Sequence, residues 1–114
     1  LVVLYNNIQI DGEVSSIKDL QPLRERLASF GWEAREIDGH DLEAVTDAFD
    51  ATKPGGQRPQ AIVARTVMAR GVSFMEGLAA WHGAAPSREQ LAKALQEIGT
   101  STLFSDYPDA RSLL

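Results

Sequence analysis

The sequence predicts an α/β fold in which helices flank a parallel sheet, and three observations support this prediction. Apolar and β-branched runs without alternation, such as residues 1–5, are typical of strands buried on both faces. Segments with apolar residues at steps of three and four lie between these runs, which indicates amphipathic helices. The resulting order of strand, helix, strand, helix, strand implies right-handed crossovers between parallel strands.

Length, composition and charge narrow the class of protein. The chain has 114 residues, enough for one small domain, with 44% hydrophobic and 24% charged residues. Its net charge of −5 argues against a nucleic acid or an anionic membrane as a partner. The absence of cysteine excludes disulfides and thiolate metal sites, and we expect a cytoplasmic protein. The sequence begins with Leu1, inside a strand, so we expect it to be part of a longer polypeptide.

The first strand, residues 1–5, ends at Asn6 and Asn7 and is followed by a short extended segment, Ile8 to Ile10, and an Asp-Gly turn. Ligands of open parallel sheets bind beyond the carboxyl ends of the strands, where these asparagines fall. An amide oxygen and a nearby main-chain carbonyl are hard ligands that Mg²⁺ accepts. The same pair also suits a simple turn, because Asn tolerates left-handed backbone.

A polar loop is predicted for residues 13–18, followed by the first helix. Asp19 is a plausible N-cap, Pro22 is tolerated in the first turn, and Gly31 is expected to end this helix. Its apolar face comprises Ile17, Leu20, Leu23, Leu27 and Phe30.

A second strand is predicted at residues 32–37, followed by a tight Asp-Gly-His-Asp turn at residues 38–41 and a second helix. His40 lies between two carboxylates and could belong to a metal or catalytic site, but we interpret the turn as a structural N-cap. The buried face of the second helix is expected to contain Leu42, Val45 and Phe49. A loop at residues 53–57 then leads to a third strand at residues 61–64, which could extend to residue 67.

Residues 68–86 show no regular pattern. A long irregular segment inside a compact domain is usually functional or disordered, and its aromatic content argues against disorder. Ser87 and Gln90 then form a capping box at the start of a third helix. We expect Leu91, Leu95 and Ile98 on its apolar face and Gly99 at its end.

Two segments resemble signatures of one family. YNNIQIDG, residues 5–12, resembles the diphosphate-binding segment of transketolases, particularly the split type whose N-terminal half is a separate subunit. GVSFMEGLAAWHGAAP, residues 71–86, resembles the second signature of the same half. The resemblance implies that residues 1–99 form the latter part of a thiamine diphosphate-binding (diphosphate-type) domain, followed by a C-terminal tail at residues 100–114.

The resemblance also implies a metal and cofactor site. In this family, Mg²⁺ bridges the cofactor diphosphate to an Asp of an upstream Gly-Asp-Gly motif, an Asn side chain and a main-chain carbonyl two residues later. These last two roles fall on Asn6 and Ile8, and Ile10 is expected near the cofactor. The Gly-Asp-Gly motif is absent from this sequence, so the chain is expected to supply only part of the metal site.

The sequence WHGAAP, residues 81–86, resembles the family's HGAP-type segment. This resemblance implies that His82 contacts the cofactor diphosphate and stabilises charge near the reacting centre, as a catalytic residue. Gly83 would let the backbone approach the cofactor closely. The alternative is a histidine packed beneath Trp81. The segment TVMARGV departs from the family's TVKGKGV pattern at Met68, Ala69 and Arg70, which affects the expected loop flexibility and substrate preference.

The implied activity is transfer of a two-carbon ketol unit from a ketose phosphate to an aldose, with thiamine diphosphate and Mg²⁺ as cofactors. The implied partners are a C-terminal subunit with the pyrimidine-binding domain and the upstream segment. Two alternatives remain open. The chain could be a non-catalytic α/β interaction module derived from the same scaffold, or a transketolase-like enzyme that acts on an unusual sugar.

Overall fold

A computed structural model describes residues 1–99 of the chain, so the predicted tail at residues 100–114 lies outside the described residues. The elements are, in order, β1 (Val2–Tyr5), β2 (Ile8–Gln9), β3 (Gly12–Glu13), α1 (Val14–Ile17), α2 (Leu23–Ser29), β4 (Glu33–Asp38), α3 (Leu42–Asp50), β5 (Gln60–Arg65), a 3₁₀ turn (Ala79–Trp81) and α4 (Arg88–Ile98).

The predicted parallel sheet is confirmed. Its three strands lie in the order β1-β5-β4, and both pairings are parallel. The central strand β5 is almost wholly buried, and Val63, which faces Val3 on one side and Glu36 on the other, has 0% exposure. A separate antiparallel pair, β2 with β3, forms a small hairpin directly after β1.

The two longer crossovers place helices on opposite faces of the sheet. The chain passes from β1 across β5 to β4 through α2, and then returns from β4 to β5 through α3. Right-handed crossovers in opposite directions put their helices on opposite faces. Helix α2 packs on β4 and β5, and α3 packs on β4. Because the strands are parallel and in register, Tyr5, Asp38 and Arg65 lie together at the carboxyl end of the sheet.

Strand β1 is not buried on both faces, contrary to the prediction. Tyr5 is buried, but Val2 is 46% and Leu4 is 73% exposed. Both side chains share the sheet face on which α3 lies, because Val2 and its register partner Ile62 line one pocket with Phe49 of α3, and Leu4 lies two residues further along the strand. Helix α3 covers β4 rather than β1, so this apolar part of the face is left open.

The predicted buried face of α3 is also wrong in part. Leu42 is 81% exposed and Phe49 is 53% exposed, whereas Ala48 is buried and Val45 half-buried. The small residues of α3, Ala44 and Ala48, thus face the sheet. Its larger apolar residues are left without cover among the described residues.

Two further expectations on the first crossover need correction. Residues 13–18 are not a simple loop, because Val14–Ile17 form one helical turn. Helix α2 starts at Leu23 rather than after Asp19, since the Asp19 carboxylate accepts a hydrogen bond from the Gln21 N–H (2.9 Å) and closes a local turn. Its end is as predicted, with Gly31 at φ +86°.

The predicted caps of the other helices are confirmed. The Asp41 carboxylate accepts from the N–H groups of Glu43 (3.0 Å) and Ala44 (3.2 Å) at the start of α3. Ser87 and Gln90 form the predicted capping box of α4, which buries Ala94 and Leu95, whereas Ile98 is 51% exposed. Residues 68–86 contain no helix or strand apart from the 3₁₀ turn, as predicted.

Candidate functional site

The loop that follows β1 holds the two proposed metal ligands. The Asn6 side-chain oxygen accepts a hydrogen bond from the Ile8 N–H (2.8 Å), which closes the turn that Asn also favours in general. Both residues are half-buried, and Ile10, at the tip of the following hairpin, is 79% exposed. The structure therefore brings Asn6 and Ile8 together at the carboxyl end of β1.

Asn7 fixes the shape of this loop. Its backbone is left-handed, with φ +58°. Its side-chain oxygen accepts from the Tyr5 hydroxyl (3.1 Å) and from the Ser15 N–H (3.0 Å). Its carbonyl accepts from the Val14 N–H (2.8 Å). Asn7 thus ties the loop to β1 and to α1, a role that has no local signal in the sequence beyond the tolerance of Asn for this backbone.

Arg65 supports the loop from β5. Its guanidinium lies 4.6 Å from the centre of the Tyr5 ring, a cation–π contact. It also donates to the carboxylate of Glu36 (3.0 Å) and to the side-chain oxygen of Gln21 (2.6 Å). Tyr5, which holds Asn7, therefore packs against a guanidinium that is itself held by Glu36 of β4 and by Gln21, just before α2.

The Asp-Gly-His-Asp turn has the structural role that we inferred. The Asp38 carboxylate accepts from the His40 N–H (2.8 Å), and His40 Nε2 accepts from the Val67 N–H (2.7 Å). The His40 ring therefore ties the turn to the segment that follows β5. An open groove of about 500 Å³ lies beside this turn. Its lining is Glu36, Ile37, Asp38, His40, Arg65, Thr66, Val67 and Arg70.

The segment after β5 departs from the family pattern at a strained position. Ala69 has φ +54°, a backbone conformation that glycine adopts readily and alanine does not. Gly71 has φ +91°, and its N–H donates to the Glu76 carboxylate (2.9 Å). The family's glycine at the position of Ala69 is thus explained by backbone conformation.

His82 lies at the end of the 3₁₀ turn, and its N–H donates to the Ala79 carbonyl (2.9 Å). Its side chain is exposed, so the alternative of a histidine packed beneath Trp81 does not describe it. The Trp81 indole N–H instead donates to the Phe74 carbonyl (3.0 Å), and the two rings meet edge to face at 5.7 Å. A Cβ at Gly83 would meet nothing within 4 Å, so its backbone is open to approach.

The candidate residues therefore lie in two loops. Asn6, Ile8 and Ile10 follow β1, whereas His82 and Gly83 follow the 3₁₀ turn. No hydrogen bond or ion pair joins the two loops within residues 1–99. In the same part of the chain, no three His, Asp or Glu side chains are grouped so that they could hold a metal. No helix among the described residues is long and apolar enough to cross a membrane.

Comparison with known proteins gives consistent results. A family model described as transketolase, thiamine diphosphate binding domain, matches residues 1–105. One subunit of the apulose-4-phosphate transketolase of Phocaeicola vulgatus is 32% identical over 93 residues, which are 82% of this chain and 33% of that protein. The 6-deoxy-6-sulfo-D-fructose transketolase subunit SqwG of Clostridium sp. is 34% identical over 94 residues, again 82% of this chain and 34% of that protein.

Solved structures give the same answer. The transketolase of Campylobacter jejuni superposes with a TM-score of 0.75 at 31% identity, over 89% of this chain and 16% of that one. The chain thus spans about a third of the length of the curated subunits that it matches. Its parallel sheet, the match over residues 1–105 and the similarity to transketolase subunits agree: the chain belongs to the transketolase family, within the thiamine diphosphate-binding domain.

Proposed function

We propose that this chain supplies part of the thiamine diphosphate and Mg²⁺ site of a split transketolase, as the N-terminal subunit or a section of it. The proposed reaction moves a two-carbon ketol unit from a ketose phosphate to an aldose. Two similar proteins are named for different substrates, apulose 4-phosphate and 6-deoxy-6-sulfo-D-fructose. A specialised sugar is therefore compatible with the proposal.

The observation that carries the proposal is the loop from Asn6 to Ile8. It lies at the carboxyl end of a parallel strand, where ligands of open sheets bind. The Asn6 side-chain oxygen accepts only one hydrogen bond in the described structure and keeps a second lone pair. The Ile8 carbonyl is a further hard oxygen, and both residues are only half-buried. This donor set fits two positions of an octahedral Mg²⁺ shell.

We infer that Asn6 and Ile8 hold the ion against the cofactor diphosphate, with a carboxylate supplied from outside this chain. The loop is prepared for this role, because Asn7, anchored through Tyr5 and Ser15, fixes its backbone. Thiamine diphosphate would supply the covalent chemistry of ketol transfer when bound. The protein would then contribute position and charge rather than covalent bonds.

His82 and Gly83 are proposed to contact the diphosphate from the second loop. An exposed imidazole can donate a hydrogen bond to a phosphate oxygen. The open space at Gly83 would let the backbone N–H groups approach the same anion. His82 would thereby orient the cofactor and stabilise negative charge near the reacting centre.

A partner is proposed because the described surface leaves large apolar side chains uncovered. Leu4 is 73% and Phe49 is 53% exposed, and each lies toward the α3 face of the sheet. The segment that precedes this region in relatives is proposed to cover β1. Two similar proteins are named as subunits, which suggests a C-terminal subunit that completes the site with the pyrimidine-binding domain.

The proposal is tested with Asn6→Ala in the complete assembly. We expect Mg²⁺-dependent binding of thiamine diphosphate to be lost, measured by titration calorimetry, because the amide oxygen is removed from the metal. Asn6→Asp is the matched variant and should retain binding, since it keeps a side-chain oxygen that can accept from the Ile8 N–H and bind Mg²⁺. Unchanged cofactor binding in Asn6→Ala would refute the assignment of the metal ligand.

A second candidate is the non-catalytic interaction module. The observation in its favour is Ala69, which takes a strained left-handed conformation where the family pattern has glycine. Native mass spectrometry with Mg²⁺ and thiamine diphosphate separates the two. A larger complex that gains the mass of the cofactor supports the enzyme, whereas a complex that takes up no cofactor supports the module.

A further inference from the structure

A cluster of side chains joins the last turn of α4 to the loop that carries His82. Both carboxylate oxygens of Glu97 accept hydrogen bonds from Ser73, one from its N–H and one from its hydroxyl (2.8 Å). The Lys93 ammonium lies 3.9 Å from the same carboxylate and 4.9 Å from the centre of the Phe74 ring. Helix α4 therefore holds two consecutive residues of the loop, Ser73 and Phe74.

Phe74 also holds Trp81, the residue that precedes His82. The Phe74 carbonyl accepts from the Trp81 indole N–H (3.0 Å), and the Phe74 ring packs against the Trp81 ring. Trp81 is the residue directly before His82. A continuous series of contacts thus leads from Glu97 through Ser73, Phe74 and Trp81 to His82. Few other contacts restrain His82, because within residues 1–99 its own hydrogen bond is the one to the Ala79 carbonyl.

We propose that Glu97 is a positioning residue for His82, acting through Ser73, Phe74 and Trp81. This inference deepens the proposed function, since it rests on the role of His82 toward the cofactor diphosphate. Glu97 itself lies on α4 and touches Ser73 and Lys93, so it is not a catalytic residue. It anchors the loop to a capped helix, which sets where the imidazole lies when a phosphate oxygen approaches.

The charge of Glu97 matters to this role. Two hydrogen bonds from Ser73 lower the pKa of the Glu97 carboxyl, and Lys93 adds a smaller effect in the same direction. On the loop, the other carboxylate with a described contact is that of Glu76, which accepts from the Gly71 N–H (2.9 Å). Hydrogen bonds to an ionised acceptor are stronger and shorter than those between neutral groups. Replacing Glu97 with Gln keeps the length of the side chain but removes the charge.

The test compares four variants of the assembled holoenzyme by the dissociation constant for thiamine diphosphate at saturating Mg²⁺. We expect Glu97→Gln to weaken binding about tenfold, the lower end of what loss of a charge-assisted hydrogen bond changes. Glu89→Gln, in the first turn of the same helix, is the matched control and should bind as the unmodified chain does. In a His82→Ala background, Glu97→Gln should cause no further loss.

The outcomes separate the two proposals. If His82→Ala weakens binding but Glu97→Gln matches its control, the positioning role is wrong and the role of His82 stands. If the two substitutions add as independent effects, Glu97 does not act through His82. If His82→Ala binds normally, the proposed role of His82 fails, and the inference fails with it.

A second measurement reports the loop itself. Fluorine NMR of the 5-fluorotryptophan-labelled chain in the reconstituted assembly gives one signal for Trp32 and one for Trp81. Glu97→Gln and Ser73→Ala should both shift the Trp81 signal and leave that of Trp32 in place. Ser73→Thr keeps the hydroxyl and should retain the original signal. A Trp81 signal that is unchanged in both substitutions would overturn the inference.

Discussion

Replacement of Gly39 by alanine should destabilise the protein through a clash at the carboxyl end of the sheet. A Cβ at this position would lie 2.7 Å from Cγ2 of Thr66, 3.0 Å from the Arg65 carbonyl oxygen and 3.1 Å from Cβ of Ala64. The Gly39 N–H also donates to the Arg65 carbonyl (2.7 Å), which holds the turn against the end of β5. The turn cannot move away without losing that bond.

The expected cost follows from which neighbours can give way. The methyl group of Thr66 can move by rotation about χ1, but the Arg65 carbonyl and the Ala64 Cβ belong to the rigid central strand. Overpacking of this kind costs about 1–3 kcal/mol in the free energy of unfolding. For a domain of this size, each kcal/mol lowers the melting temperature by about 4–8 °C.

The assay is urea denaturation of the assembled protein, followed by circular dichroism. Gly56→Ala is the matched control, because its Cβ would meet its nearest neighbour, the Lys53 carbonyl, at 3.4 Å, and its φ is not positive. We expect the control to remain within about 0.5 kcal/mol of the unmodified protein.

A second substitution makes the explanation specific. Thr66→Ser removes the methyl group that would lie 2.7 Å from the new Cβ, so it should recover part of the stability lost in Gly39→Ala. Full recovery is not expected, since the contacts with Arg65 and Ala64 remain. The steric reasoning is refuted if Gly39→Ala unfolds at the same urea concentration as the unmodified protein.

Two further predictions concern the segment after β5 and its anchor. Ala69→Gly should stabilise the protein by about 0.5–1 kcal/mol in urea denaturation, because relief of the left-handed alanine exceeds the entropy that glycine loses; equal or lower stability would contradict this. Hydrogen bonds from Ser73 are the main cause of the lowered pKa of Glu97, and a lowered pKa means that the ionised carboxylate stabilises the folded state. This stabilisation is complete above the unfolded-state pKa of about 4.3 and is lost as the pH falls through the lower folded-state value. The difference in urea midpoint between the unmodified protein and Glu97→Gln should therefore be present at neutral pH and vanish on acidification; a difference that persists at low pH would show that the charge is not its origin.

The sequence was informative where local chemistry decides the structure. The capping box of Ser87 and Gln90 and the cap formed by Asp41 involve residues two or three positions apart, so their pattern can be recognised without tertiary information. The strands were found for a similar reason. A run such as Ala61 to Ala64, apolar without alternation, has few favourable places other than the centre of a sheet.

The errors arose where burial depends on a surface that the pattern cannot identify. Leu4, Leu42 and Phe49 have the apolar character of buried residues, yet all three are exposed in this chain. The sequence pattern marks these side chains as apolar, but it does not identify a surface that would cover them, and none lies within residues 1–99. The start of α2 was misplaced because the Asp19 side chain can close a turn or cap a helix, and the sequence is the same in both cases.

The candidate site shows the same division. Asn6, Ile8, His82 and Gly83 were found by motif, and the structure supplies their surroundings. The contacts that fix the two loops join residues distant in sequence, such as Arg65 with Gln21 and Ser73 with Glu97. Such pairs leave no local signal, because each member alone resembles an ordinary surface side chain.

The exposed edge of β1 has a consequence for how the chain can be handled. Val2–Tyr5 is a short strand without a charged residue or proline, one edge of which is unpaired in the sheet described. Such edges are templates for strand addition between copies, and proteins normally block them with charge, proline or a covering segment. Produced without whatever covers β1, the chain should therefore self-associate through this strand as its concentration rises. Co-expression with the segment that is proposed to cover β1, rather than refolding of the isolated chain, should therefore yield soluble material.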